Sequence, residues 1–365
     1  MKINFILPFF SARPIGGFKV AYEYANHLAR RGHTVSVIHP RFVRNTPIPN
    51  GLINKLRTFV TNTQNRAASR SGLKWQPLEK DVRILHVSEP TPDQVPNADV
   101  VFAMSWQTAE YVREYPSEKG KKCYIVMDFY PWIASKDELE KSWNWPLLKV
   151  TISGWLFDKV RKAGCPEADV VNIPIGINFD QFRLHNGLSD RGKKLTMLYS
   201  SSPSKGSNDG LEAIKICKEK HSDLQVTLFG PSMRLRPANI PSWAEYKGNV
   251  LQKTLTKILN DSRIYVCSSV AEGFALPPAE AMACGCAVAA TACGGIREFA
   301  DDHINILLSP PGEPHELASN ILRLLEDESL RLKLAKAGRE TISRFTWDRA
   351  TNSLERLISP AGESR

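Results

Sequence analysis

The chain has 365 residues, 42% of them hydrophobic and 24% charged, which is ordinary soluble composition with enough length for two domains that each bury a core. It contains no run of about eighteen apolar residues to cross a bilayer. Its seven cysteines, with only the Cys284-Gly285-Cys286 pair close in sequence, fit neither a disulfide framework nor zinc-ligand spacing. They are expected to be reduced, structural thiols in a cytoplasmic protein. The formal net charge of +10 implies an anionic partner, whether a nucleotide, a nucleic acid or an acidic membrane face.

Met1 to Pro8 could pass for a signal peptide, but its apolar run is short and leads to glycines rather than a small-residue cleavage site, so Ile3 to Leu7 reads as the first strand. A loop then ends at Gly16-Gly17, and a helix is predicted from about Phe18 to Arg31, with Val20, Ala21, Tyr24, Ala25 and Leu28 at helical spacing. Gly32-His33 stops it before a second strand, Thr34 to His39. This opening lacks the Gly-x-Gly-x-x-Gly run and the acid ending the second strand that a nicotinamide enzyme needs.

Residues 41 to 80 carry eight Lys and Arg against the single acid Glu79, so much of the excess charge lies there. Leu52, Ile53, Leu56, Phe59 and Val60 form an apolar helical stripe beside Lys55 and Arg57. Residues 41 to 70 are therefore expected either to dock on an anionic membrane surface, with Arg66 and Arg70 adding cations, or to pack the stripe on the sheet and leave the charges solvated. Further strands are predicted at Val82 to Val87, Val100 to Ala103 and Cys123 to Met127. The last runs into Asp128-Phe129-Tyr130-Pro131-Trp132, whose aromatics around one acid suit either sugar stacking or simple packing.

Val150 to Ser153 is predicted as a short strand whose Ser153 caps a helix from Gly154 to Ala163. Val170 to Ile173 follows, and 184 to 194 reads as a polar linker. A second α/β unit opens with a strand at Leu195 to Tyr199, the loop Ser200 to Gly206 containing Lys205, and a helix from about Ser207 to His221. Strands at Leu224 to Phe229, ending at Gly230, and at Ile264 to Cys267 come next. The chain then reads Ala271-Glu272-Gly273-Phe274-Ala275-Leu276-Pro277-Pro278-Ala279-Glu280, with a Pro pair opening an Ala-rich helix. Glu272 is placed in the loop and Glu280 on the first helical turn. A helix N-terminus at the carboxyl ends of parallel strands presents N–H groups to an anion. The two glutamates there read as acceptors for hydroxyls flanking a phosphate, on a sugar and a ribose, against the plainer reading of a dipole-favoured and a solvated carboxylate. Asn305 to Leu308 closes the second sheet, and helices at about 314–326, 328–344 and 347–358 end the chain.

The block from Glu272 to Gly285 resembles the signature of retaining glycosyltransferases of family 4, Glu-Gly-Phe-Gly-Leu-Pro-x-x-Glu-Ala-Met-Ala-x-Gly. The likeness extends to Ala287 to Ala290, Gly294-Gly295-Ile296-Arg297-Glu298, Arg344 to Trp347, and Pro174 to Asn178. The resemblance implies the GT-B fold, with two Rossmann-like α/β domains facing each other across a cleft. Residues 1–180, with 346–365 packed back on them, would be the acceptor side, and 181–345 would bind the nucleotide sugar. It also implies transfer of a sugar from a nucleotide diphosphate sugar to a glycan or lipid-linked acceptor hydroxyl with retention, in bacterial polysaccharide or glycoconjugate synthesis, at the inner face of the plasma membrane, without nucleic acid. The implied catalytic residues are Glu272 and Lys205, and the implied donor-binding residues Gly16, Gly17, Gly230, Gly273, Phe274, Ala275, Leu276 and Glu280. Trp106, Asp128, Tyr130 and Trp132 are acceptor candidates. No Asp-x-Asp stands in a suitable loop, so neither metal nor cofactor is expected.

The sequence departs from the family at Ala275 for glycine, at Ser200 where a diphosphate-binding Arg is usual, and at Asn178 for an acid. Met104-Ser105-Trp106-Gln107 offers no histidine of the kind many relatives carry. Arg234, Arg236 or a cation of the first domain is the expected substitute at the diphosphate. The segment 128–132 faintly resembles rhamnosyltransferases of the family. A nucleotide-sugar epimerase of the same fold and a non-catalytic nucleotide or glycan binder are the alternatives.

Overall fold

The structure is a computed structural model that describes residues 1–45, 73, 75–127, 136–185, 187–189, 191–231 and 236–359. The chain divides into two compact units, Met1–Pro174 with Trp347–Arg365, and Ile175–Thr346. The division falls at Pro174 rather than at 180, because Ile177 is already tied to the second unit: its N–H donates to Phe345 O at 2.8 Å and it bridges Thr346.

In the first unit, β1 (Lys2–Ile6), β2 (Thr34–Pro40), β3 (Arg83–Val87), β4 (Val100–Ala103), β5 (Lys121–Val126), β6 (Leu148–Thr151) and β7 (Val170–Asn172) form one sheet in the order β3-β2-β1-β4-β5-β6-β7, parallel throughout. The central strands are continuous apolar runs because helices cover both faces; Ile3, Phe5, Val100, Val101 and Phe102 are fully buried. Helix α1 (Gly16–Arg30) begins at the glycine pair, not after it. The predicted turn is thus the helix's first turn, where residues lack intrahelical N–H bonds and glycine costs little. Gly32, at φ +85°, ends the connection to β2. The buried Glu23 and Asn26 of α1 are satisfied by the chain at 76–79: Gln76 Nε2 donates to Glu23 at 3.1 Å, and Asn26 Oδ1 accepts from Glu79 N–H at 2.9 Å.

Helices α2 (Trp106–Val112), α3 (Lys136–Trp143) and α4 (Gly154–Lys162) complete this unit with the last helix of the chain. Ser153 caps α4 as expected, accepting from Leu156 N–H at 3.4 Å. The last helix, Trp347–Ile358, lies on α1: Trp347 meets Tyr24 edge-on at 5.1 Å, and Arg31 binds Asn352, Asp348 and Glu355 while His33 meets Glu355 at 2.9 Å.

In the second unit, β8 (Lys194–Leu198), β9 (Gln225–Phe229), β10 (Ala244–Tyr246), β11 (Ile264–Cys267), β12 (Ala287–Thr291) and β13 (Leu307–Ser309) form a parallel sheet in the order β10-β9-β8-β11-β12-β13. Its helices are α5 (Ser207–Lys220), α6 (Gln252–Asp261), α7 (Leu276–Ala283), α8 (Pro314–Glu326) and α9 (Glu328–Ile342), and the last helix is α10. The small residues Ala287, Ala289 and Ala290 of β12 are fully buried, leaving room for α8 and α9 to approach the sheet closely. Strand order reverses between β1 and β4 in the first sheet and between β8 and β11 in the second. At such a switch point the connections leave in opposite directions and open a crevice at the carboxyl ends of the strands.

Candidate active site

The switch point of the second sheet brings together the loops after β8 and β11. A pocket there is lined by Leu198, Lys205, Tyr265, Val266, Cys267, Ser268, Ser269, Glu272, Pro277 and Pro278. Lys205 arrives from a 3₁₀ turn, Pro203–Lys205, whose exit needs Gly206. Gly206 has φ +51°, and a Cβ on it would stand 2.1 Å from Ser268 O, so no other residue fits without moving the backbone. Ser268 Oγ donates to Lys205 O at 3.0 Å, joining the two loops. Glu272 is fixed from behind by Gly295, whose N–H donates to Glu272 O at 2.9 Å; a Cβ there would meet Gly273 O at 2.0 Å.

Lys205 Nζ and Ser269 Oγ both donate to Glu272 Oε1, at 2.5 and 2.7 Å. The carboxylate side chain is 8% exposed and the lysine 21%. Burial pushes the ammonium's pKa down, but the adjacent Glu272 more than offsets this, so Lys205 titrates above its usual range and is charged at neutral pH. Ser269 is itself held by Thr291 Oγ1, which donates to its carbonyl. Sequence reasoning passed over Ser269. Its only signal was a place directly after a buried strand.

Helix α7 starts at Leu276, so Pro277 and Pro278 are its second and third residues, tolerated where N–H groups have no intrahelical partner. Any donor from this helix end to an anion is therefore Leu276 or a loop residue before it. Starting the helix there also corrects the position of Glu280, which is the fifth helical residue and not on the first turn. Glu280 is buried and acts on the phenol of Tyr265, away from the pocket wall. Phe274 is buried against Phe299 and Phe345, at 5.5 and 5.7 Å between rings, which leaves its backbone as the part able to face a ligand. Gly230 follows β9 and donates its N–H to Gly248 O at 2.9 Å.

Ala275, in the glycine position of the signature, has φ +71° and ψ 59° at the N-cap of α7. A residue with a Cβ in the left-handed region costs about 1–2 kcal/mol. Ala275→Gly is expected to stabilise the protein by about 1 kcal/mol, raising the melting temperature by calorimetry; a lower melting temperature would show that the methyl group contributes packing that outweighs the strain.

Ser200 does not take over as a diphosphate ligand: its N–H donates to Ser207 Oγ at 2.9 Å and its Oγ accepts from Ser202 N–H at 3.2 Å. Arg236 is turned to the carbonyls of Ile240 and Pro241, and Arg234 lies outside the described residues. Among the described residues, Lys205 is the one cation lining the pocket. Asn178 caps its own turn, with Oδ1 accepting from Gln181 N–H at 3.2 Å.

In the first unit, Gly16 and Gly17 open α1 beyond the carboxyl end of β1, where Ile15 supplies no side-chain cap. Trp106 stands beyond β4, buried at the start of α2, and its indole N–H meets no partner among the described residues. Asp128, Tyr130 and Trp132 lie outside the described residues, as does the proposed docking stripe from Leu52 to Val60. Of the basic segment, Arg44 is described. It lies over the Tyr111 ring at 4.6 Å and pairs with Glu89 and Glu114, so it is a structural cation.

Residues 178–341, nearly all of the second unit, match the family described as glycosyl transferases group 1. Over its whole length the chain is 24% identical to a phosphatidyl-myo-inositol mannosyltransferase of Mycobacterium tuberculosis, covering 98% of that protein. Among solved structures it is similar to Anabaena HepE in complex with UDP-glucose, with a TM-score of 0.72 at 17% identity over 98% of this chain and 99% of that one. It is also similar to sucrose-phosphate synthase from Thermosynechococcus elongatus, with a TM-score of 0.70 at 16% identity over 98% of each chain. The fold is GT-B, as expected from the sequence.

Proposed function

We propose that this protein is a retaining glycosyltransferase of family 4, which moves a sugar from a nucleotide diphosphate sugar to an acceptor hydroxyl and binds its donor in the pocket of the second unit. The observation that carries this reading is the meeting of Lys205 and Glu272 at the switch point, beside the N-terminus of α7. Without a ligand the two neutralise each other. A donor diphosphate would draw the ammonium onto its developing negative charge, and the released carboxylate would accept a hydroxyl of the transferred sugar. A fixed cation and backbone N–H groups can do this without a divalent metal, so chelators are expected to leave transfer intact.

Glu280 is assigned to the ribose hydroxyls, and Gly16 and Gly17 to an anion at the first sheet's own switch point. The likeness along the whole chain to a phosphatidyl-myo-inositol mannosyltransferase favours a lipid-linked acceptor, and with it work at the inner face of the plasma membrane in glycoconjugate synthesis. Thermal shifts against UDP, GDP, dTDP and ADP test the donor site. One of them at about a hundred times its dissociation constant should stabilise the protein by roughly 2.7 kcal/mol, and no shift with any of the four would contradict the reading. Glu280→Gln is expected to raise the donor KM about tenfold or more, by loss of a charged hydrogen bond worth roughly 1.5–3 kcal/mol. An effect confined to the acceptor KM would remove Glu280 from the ribose.

A further inference from the structure

Behind Glu272 lie two thiols for which sugar transfer has no use. Cys267 ends β11, and Cys293 follows β12 by two residues, at the N-cap of the 3₁₀ segment Gly294–Glu298. The strands run parallel with Cys267 opposite Ala290, so both chains leave the sheet at the same end. A tight turn, Cys293 N–H to Thr291 O at 2.7 Å, folds the second back toward the first. The Cys293 thiol donates to the Cys267 sulfur. Cys267 in turn reaches Ser269 Oγ at 3.6 Å, the hydroxyl that donates to Glu272. Cys293 is 1% exposed, whereas Cys267 borders the pocket alongside Lys205 and Glu272.

We propose that Cys267 and Cys293 form a redox-modifiable dithiol that small peroxides entering the pocket convert to a disulfide, disabling the site that holds Glu272. Two sulfurs already in hydrogen-bond contact need to close only to about 2.05 Å. In the first step the Cys267 thiolate attacks one peroxide oxygen: an S–O bond forms, the O–O bond breaks, and the departing hydroxide takes a proton to leave as water. In the second, Cys293 attacks the resulting sulfenic acid; the S–S bond forms, the S–O bond breaks, and hydroxide takes the Cys293 proton and leaves as a second water. The two thiols lose two electrons and the peroxide gains them.

Selectivity comes from position and charge. Lys205 raises the local positive potential beside Cys267, and the hydrogen bond from Cys293 holds the Cys267 thiol below its usual pKa against the opposing effect of burial. Burial pushes Cys123, Cys217 and Cys286 up to about 12 and raises Cys165 and Cys284. The alternative neighbouring pair, Cys284 and Cys286, thus holds its protons.

The test is a peptide map. The full chain is treated with excess hydrogen peroxide, alkylated under denaturing conditions and digested without reduction. A peptide pair joined through Cys267 and Cys293 is expected in the wild type, absent after dithiothreitol and absent from Cys293→Ala. Wild-type Cys267 recovered alkylated, oxidised without a link, or a link confined to Cys284 and Cys286, would overturn the proposal. The map needs no turnover, so its failure is separate from that of the transfer reading, on which only the functional consequence rests. That consequence is loss of the nucleotide thermal shift on oxidation and its return with dithiothreitol. An unchanged shift in fully linked protein would overturn the claim that the site is disabled.

Discussion

Lys205→Ala is expected to lower sugar transfer by about 10²–10³-fold, the usual cost of removing one preorganised group that stabilises charge on a leaving or attacking oxygen. It is the one pocket-lining cation among the described residues, and neither Ser200 nor Arg236 is placed to replace it. The same substitution leaves Glu272 buried with only Ser269 as its printed donor, so stability should fall by roughly 3 kcal/mol, the low end for breaking a buried ion pair because the lysine is partly exposed. Adding Glu272→Gln should return much of that stability and none of the activity, since the double variant has no buried charge to strand. The pair's stabilisation has a defined pH window. Lys205 titrates above its ordinary value of 10.5, so its contribution is complete below that value and is lost only as the pH rises through the higher folded-state pKa. Melting curves from pH 6 to 9 should show no loss attributable to this pair.

Glu272→Gln is expected to slow turnover by at least about tenfold, with a smaller effect on the donor KM. A charged hydrogen bond to a sugar hydroxyl is worth roughly 1.5–3 kcal/mol, and each 1.36 kcal/mol at the transition state is a factor of about ten. Glutamine can still accept from Ser269, and the lysine it deserts is exposed enough to reach water, so the melting temperature should fall less than in Lys205→Ala. Steady-state kinetics beside calorimetry separate the two effects. Turnover equal to wild type would remove Glu272 from the chemistry and leave it a structural partner of Lys205.

The parts of this site that were legible in the sequence are those written by local pattern. The apolar runs Ile264 to Cys267 and Val100 to Ala103 coincide with β11 and β4, because a strand buried on both faces cannot alternate. Ser153 before its helix was readable as a cap for a similarly local reason. Helix starts at Gly16 and Leu276 were misplaced because glycine and proline signal turns, yet the first turn of a helix tolerates both. The three-residue β10 and the following α6 went unread, the strand being too short to show a period. Pairings across distance were out of reach altogether. That Lys205 meets Glu272, that Ser269 supports it, and that Cys293 returns to Cys267 all depend on which parallel strands are neighbours, and strand order is not a property of any single segment.

The most direct measurement is nucleoside diphosphate release by the purified protein from UDP-, GDP-, dTDP- and ADP-sugars, with and without lipid-linked acceptors. The reading of the second unit as a catalytic donor site predicts release from one donor class that depends on acceptor, falls at least about tenfold in Glu272→Gln and falls about 10²–10³-fold in Lys205→Ala. Release at equal rates in the wild type and both variants, or donor binding with no acceptor-dependent release in any of them, would contradict it.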